Sequence, residues 1–261
     1  MPRVNALAGR TIFTAIVFLM LSSAPMVWAK PLRVGYFKVA PHAMPGPLEI
    51  PEGIAVEYFK LIAGEMQISD IDFILLPLNR LLVELANNRI DMALLLARNA
   101  ERAAKYVYPA YAFCVTKPSI AVNASNPLQK VMSIEDLLPL SFHETPENYR
   151  TDIMRDPRLQ IEPLTGDDFT RRCYGMILAG RIDACYQPDH YPIQFEAGRE
   201  EFVSRIRILY LPDPPIGLYS VFSKKSAARY VKAYETALAV IKRQQSYGAI
   251  FDKFIVDYES P

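Results

Sequence analysis

Three histidines and three cysteines are the side chains of this sequence best suited to hold a metal ion or to act as nucleophiles. His42, His143 and His190 stand far apart and share no metal-ligand spacing with Cys114, Cys173 or Cys185, so no metal site is expected and the histidines read as surface or structural residues. Neither a phosphate-cradling loop nor a nucleophile elbow occurs. Glu144 and Glu147 would suit acid or base work only inside a cleft that shifts their titration, and no motif raises them above surface carboxylates. These residues point away from catalysis: no catalytic residue and no cofactor is expected.

The first thirty residues carry a different signal. Arg3 and Arg10 precede an apolar run from Ile12 to Leu21, and Ser22, Ser23, Ala24 and Pro25 lead into Val27-Trp28-Ala29. A positive head, a short apolar stretch and small residues before the break predict a secretory leader, residues 1–29, cleaved after Ala29. The run is shorter than the roughly 20 residues that span a bilayer. No cysteine lies near the cleavage point, so a lipid-modified N-terminus is not expected and the mature protein should be free in the periplasm. Losing Arg3 and Arg10 turns 29 basic against 28 acidic side chains into 27 against 28, which leaves no field for nucleic acid or an anionic membrane. With 51% hydrophobic and 22% charged residues the chain is not disordered, and it is long enough for two lobes with cores of their own.

An exported chain can form disulfides, and three cysteines allow at most one. Cys173 falls in an expected helix and Cys185 in the strand after it. A helix axis packs about 10 Å above a sheet, whereas bonded cysteines want Cα atoms about 5.5 Å apart. The prediction is three buried thiols acting as small hydrophobes.

The elements that must position any site alternate between strand and helix. Leu32 to Tyr36 reads as a buried strand, and a loop with Pro41, Pro45, Pro47 and Pro51 carries the chain to Gly53. Ile54, Tyr58, Ile62 and Met66 then recur at helical spacing. Ile71 to Leu76 is the second strand, and Leu78, Leu81, Leu82 and Leu85 mark a second helix that should end at Asn87-Asn88, before the continuously apolar strand Ile90 to Leu96. Later, Ser133 to Asp136 resembles a capping box, and Thr165 to Asp168 opens a helix bearing Phe169, Cys173, Met176 and Ile177. That helix runs into Leu178-Ala179-Gly180-Arg181-Ile182-Asp183-Ala184, a second copy of Leu85-Ala86-Asn87-Asn88-Arg89-Ile90-Asp91. Helix, turn, Arg-Ile-Asp and strand thus occur twice, one copy for each of two doubly wound α/β sheets. Two helical stretches, Ala227 to Gln245 and Tyr247 to Phe254, close the chain. Tyr36 and Phe37 follow the first strand, where open α/β sheets present ligand contacts; neighbours on a strand face opposite ways, so one of them can equally belong to the core.

The segments Gly53 to Ala63, Leu81 to Asp91, Glu101-Arg102 with Tyr108-Pro109-Ala110-Tyr111, and Ala179 to Ala184 resemble, in order and spacing, the landmarks of the family-3 bacterial periplasmic solute-binding proteins, the amino-acid-binding class. The resemblance implies a two-lobed type II fold. Residues 30–115 and 217–261 would form lobe 1 and residues 116–216 lobe 2, with two crossing strands near Val115 and Gly217 and the ligand in the cleft.

It also implies site residues. A zwitterion leaves water only if its carboxylate meets a cation and its ammonium an acceptor. Arg102 stands where the family places its carboxylate-binding arginine, the alternative being a surface pair with Glu101; Arg80, after Pro77, resembles the arginine of divergent members, although Leu78 replaces their aromatic residue or Arg80 is simply structural. Thr145 would offer donors from lobe 2, and Gln187 and Asp189 would meet the ammonium, with Asp189 one residue beyond the usual acidic position. Asp91 and Asp183 should brace turns. Departures also stand out: Leu94-Leu95-Leu96-Ala97 replaces small hydroxylated residues, and Pro109 the usual serine, which weakens the case for an ordinary α-amino acid but not for the fold. The resemblance implies a monomeric binding protein that passes a small molecule to a membrane permease. A sensor or accessory protein of the same fold, or a dehydratase-like enzyme, are the alternatives.

Overall fold

β1 (Leu32–Tyr36) buries every residue except Arg33, as a strand flanked on both faces must. After it the chain passes a cis Ala40–Pro41 bond and a small antiparallel pair, β2 (Met44–Pro45) and β3 (Pro51–Glu52). It enters α1 (Ile54–Glu65) through Gly53 at φ 122°, where a Cβ would sit 2.5 Å from the His42 carbonyl oxygen, so glycine is required. The computed structural model describes residues 30–47 and 50–259, with side chains as far as 255; the expected leader, residues 1–29, lies outside them.

All the elements belong to the unit Leu32–Pro261. Those after α1 are β4 (Ile71–Leu75), α2 (Leu78–Ala86), β5 (Met92–Ala97), α3 (Ala100–Lys105), β6 (Cys114–Thr116), β7 (Ser119–Asn123), β8 (Ser141–Glu144) and β9 (Gln160–Pro163). Then come α4 (Phe169–Leu178), β10 (Ala184–Gln187), α5 (His190–Ala197), β11 (Ile206–Tyr210), β12 (Ile216–Phe222), α6 (Lys224–Gln244) and α7 (Tyr247–Glu259).

The strands form two five-stranded sheets, β4-β1-β5-β12-β6 and β11-β7-β10-β8-β9. In the first, β4, β1 and β5 run parallel and β12 lies antiparallel to β5 and β6. In the second, β9, β8 and β10 run parallel and β7 lies antiparallel to β10 and β11. Each parallel trio places its first strand between the second and third, so the sequence repeat is a repeat of topology. The chain passes from the first sheet to the second between β6 and β7 and returns between β11 and β12.

The repeat has a structural job at each copy. Asp91 Oδ2 accepts from the backbone N–H and Nε of Arg33 at 3.0 Å, tying β5 to β1. Asp183 Oδ2 accepts from the N–H of Ser141 at 2.9 Å and its hydroxyl at 2.7 Å, tying β10 to β8. Both preceding helices end on a left-handed residue, Asn88 at φ 57° and Gly180 at φ 65°, the conformation that lets their last carbonyls be satisfied.

Apolar layers cover both faces of the first sheet. Leu32, Val34 and Met92 meet α1, α6 and α7 on one face, and Ala93 and Leu96 meet Leu81 and Leu85 of α2 on the other. In the second sheet Ala121 and Cys185 pack on α4 and α5, while Ile120, Phe142 and Tyr186 meet Val131, Leu137 and Met154. The Ser133 capping box is present and opens a single 3₁₀ turn, Ile134–Asp136.

The expected free thiols are corrected at two of three positions. Cys173 and Cys185 form a disulfide with Cα atoms 6.1 Å apart, and only Cys114 is free among the described residues. The distance from helix axis to sheet misleads here, because a Cα on the inner face of a helix sits about 2.3 Å closer to the sheet than the axis does. Cys173 occupies that face.

Candidate functional site

The carboxyl ends of the parallel strands in both sheets border a cavity of about 460 Å³, within the range of roughly 300–1,000 Å³ usual for ligand pockets. Phe37 follows β1, Leu95 to Ala97 end β5, Thr145 follows β8 and Gln187 ends β10, and all line it. A larger hollow of about 690 Å³ beside Arg171, Phe195 and Ile255 is more open to solvent and lacks this strand-end setting.

Arg102 reaches the cavity from α3. Asn99 caps that helix, its side-chain oxygen accepting the Arg102 N–H at 2.7 Å. The guanidinium donates to the Ala97 carbonyl at 3.2 Å and, across the cavity, to the Glu147 carbonyl at 3.0 Å. Glu101 pairs with Lys105 at 2.7 Å and not with Arg102. Arg102 therefore faces the cavity with carbonyl partners alone, leaving its full charge for an anion.

Asp189 also lines the cavity, but other groups occupy it. Its Oδ1 accepts from the Thr116 hydroxyl at 2.8 Å and the Tyr191 N–H at 3.1 Å, which caps α5. Its Oδ2 lies 2.7 Å from Nε2 of fully buried His42, whose Nδ1 is 2.5 Å from the Tyr247 hydroxyl. Burial alone would raise the Asp189 carboxyl, but the charge and hydrogen bond of His42, with the Thr116 and Tyr191 donors, hold it below the ordinary value.

The other expected residues separate. Thr145 and Gln187 line the cavity beside Phe37. Tyr36 turns the other way, 3% exposed between Ala43, Val56 and Phe73. Arg80 lies on the exposed flank of α2, 2.6 Å from Glu84, and does not border the cavity. Sequence reasoning missed Lys38, which pairs across the cavity with Asp168 at 3.1 Å and Asp167 at 3.6 Å, and it missed the His42 link. It also missed α5, although Asp189 as cap with Pro192 in the first turn was a visible start signal. Leu95 holds φ 63° in β5, where Leu94 and Leu95 stand opposite Ser220 alone, a bulge that turns this strand end at the cavity wall.

Two α/β sheets with a cavity at their strand ends define a two-lobed periplasmic-binding-protein fold. The chain belongs to the bacterial extracellular solute-binding proteins, family 3, whose model matches residues 32–257. No curated protein matches it in sequence. It is similar to the GluR0 ligand-binding core from Nostoc punctiforme in complex with L-glutamate (TM-score 0.70, 17% identity, 85% of this chain and 98% of that one). It is similar to a histidine kinase sensor domain with similarity to periplasmic binding proteins (TM-score 0.69, 17% identity, 86% and 95%). A high-arginine-specificity periplasmic binding protein of Salmonella typhimurium gives a TM-score of 0.68 at 16% identity, covering 86% of this chain and 99% of that one.

Proposed function

We propose that this protein is exported by its leader to the periplasm, captures a small carboxylate-bearing solute, an amino acid or a related acid, and passes it to the permease of an ABC-type transporter. The observation that carries this reading is Arg102: a cation among apolar and polar cavity residues whose hydrogen bonds go to carbonyls on either side. An anion entering there meets a guanidinium that has no acidic partner among the described residues, and the planar fork suits two carboxylate oxygens. Phe37, Thr145 and Gln187 supply the rest of the contact surface. The two chain crossings between the sheets favour capture by hinge closure of two lobes, residues 30–115 with 217–261 and residues 116–216. The protein acts by binding, without a catalytic step: Glu144, one of its two candidate carboxylates, is held by Arg150 at 2.5 Å.

Native mass spectrometry of protein isolated from the periplasm without refolding tests the reading. A retained small carboxylic acid, lost on Arg102→Ala, is the expected result; a retained cation or neutral molecule indifferent to Arg102 would refute it. A sensor role is the second reading, favoured by the likeness to a histidine kinase sensor domain.

A further inference from the structure

We propose that the ligand of this cavity is a carboxylic acid with an apolar body and no α-ammonium group. The inference rests on the carboxylate reading of Arg102 given above and adds what the opposite wall of the cavity excludes.

An ammonium group drawn out of water needs a carboxylate or several carbonyls that are free to receive it. The acids bordering the cavity are Glu147, Asp167, Asp168, Asp189 and Glu196. Asp189, in the best position for the task, has both oxygens engaged by Thr116, the Tyr191 N–H and His42. His42 is itself wedged against Tyr247, so the donor cannot swing aside without disturbing a fully buried ring. Lys38 stands between Asp168 and Asp167, whose side chains are 58% and 80% exposed. Glu196 faces Arg199 at 2.9 Å with Arg171 near it, although its buried Oε1 accepts no hydrogen bond among the described residues. Glu147 has no side-chain partner but is exposed, and a cation beside it would remain in water, where pairing contributes little.

The cations tell the complementary story. Lys38, Arg171 and Arg199 each have an acidic partner, and Arg102 has none. Among the described residues of the cavity, Arg102 is therefore the one cation without an acidic partner. Much of the wall is apolar, with Phe37, Leu78, Leu95, Leu96, Phe169 and Leu218 beside the polar Thr145, Asn148 and Gln187. An acid with a branched or aromatic tail satisfies the charge and the wall together. Its amino-acid counterpart would bring in an ammonium where each buried acid of the wall already faces a basic group.

Calorimetric titration with matched probes decides the matter. L-leucine and 4-methylpentanoate share a skeleton and differ in the α-ammonium, as do L-phenylalanine and 3-phenylpropanoate, and 4-methylpentanamide keeps the skeleton without the charge. The expected result is binding of at least one of the two acids, with its amino-acid counterpart at least tenfold weaker and the amide silent. An amino acid binding as tightly as its acid, or none of the probes binding, overturns the inference. An amide equal to its acid overturns the underlying carboxylate reading instead, since Arg102 would then contribute no charge recognition.

Discussion

Asp189 shows how one residue's surroundings can change its role. Its position after β10 is legible from the sequence, but its occupation is not, because His42 and Tyr247 lie 147 and 205 positions away from their partners in this network. No local pattern announces a contact of that range. Phe37 and Tyr36 are the opposite case: strand alternation shows that they part ways, and only packing decides which one reaches the cavity. Because the folded Asp189 carboxyl titrates below its ordinary value, the folded state binds fewer protons than the unfolded one near that pH. Stability from this network should be complete above about pH 4 and fall as the pH drops below it towards the folded value. Asp189→Asn should cost about 3 kcal/mol at neutral pH, by breaking a buried pair, and flatten the acid limb of stability. Urea unfolding at stepped pH measures both effects, and an unchanged acid limb in the variant would remove Asp189 from the account.

At the scale of elements the sequence was most informative where side-chain period and turn chemistry agree. The bounds of β1, α1 and α2 and the left-handed Asn88 follow from apolar spacing and from the residues that tolerate positive φ. The disulfide did not follow, because it depends on which face of α4 carries Cys173 and how near that face lies to β10. Two glycines of the α4 region give a clean test of helix-end chemistry, since a Cβ at either Gly175 or Gly180 meets nothing within 4 Å. Gly175 lies inside α4, so Gly175→Ala should stabilise the protein by about 1 kcal/mol. Gly180 holds φ 65°, so Gly180→Ala should destabilise it by about 1 kcal/mol with no clash involved. Denaturant midpoints of the two variants should move in opposite directions; a shared sign would mean that the left-handed turn does not terminate the helix as described.

At the scale of the whole molecule, the duplicated Arg-Ile-Asp motif foretold two similar sheets, and the cavity lies where both present their strand ends. The identity of the solute was beyond the sequence, because it depends on which charges find partners across the cavity: Lys38 with Asp168, His42 with Asp189, and Arg102 with none of the acids. The claim that everything else depends on is that Arg102 is the anion clamp of a binding cleft. Calorimetric titration of the acid that co-purifies with the protein, against wild type, Arg102→Ala and Arg102→Lys, tests it most directly. The account predicts a loss of about 2–5 kcal/mol of binding in Arg102→Ala and partial recovery in Arg102→Lys, whose point charge cannot reproduce the fork. Both variants should melt within about 2 °C of wild type, since a clamp at a cavity wall carries little of the fold. Wild-type affinity in Arg102→Ala, or loss of folding in place of binding, would contradict it.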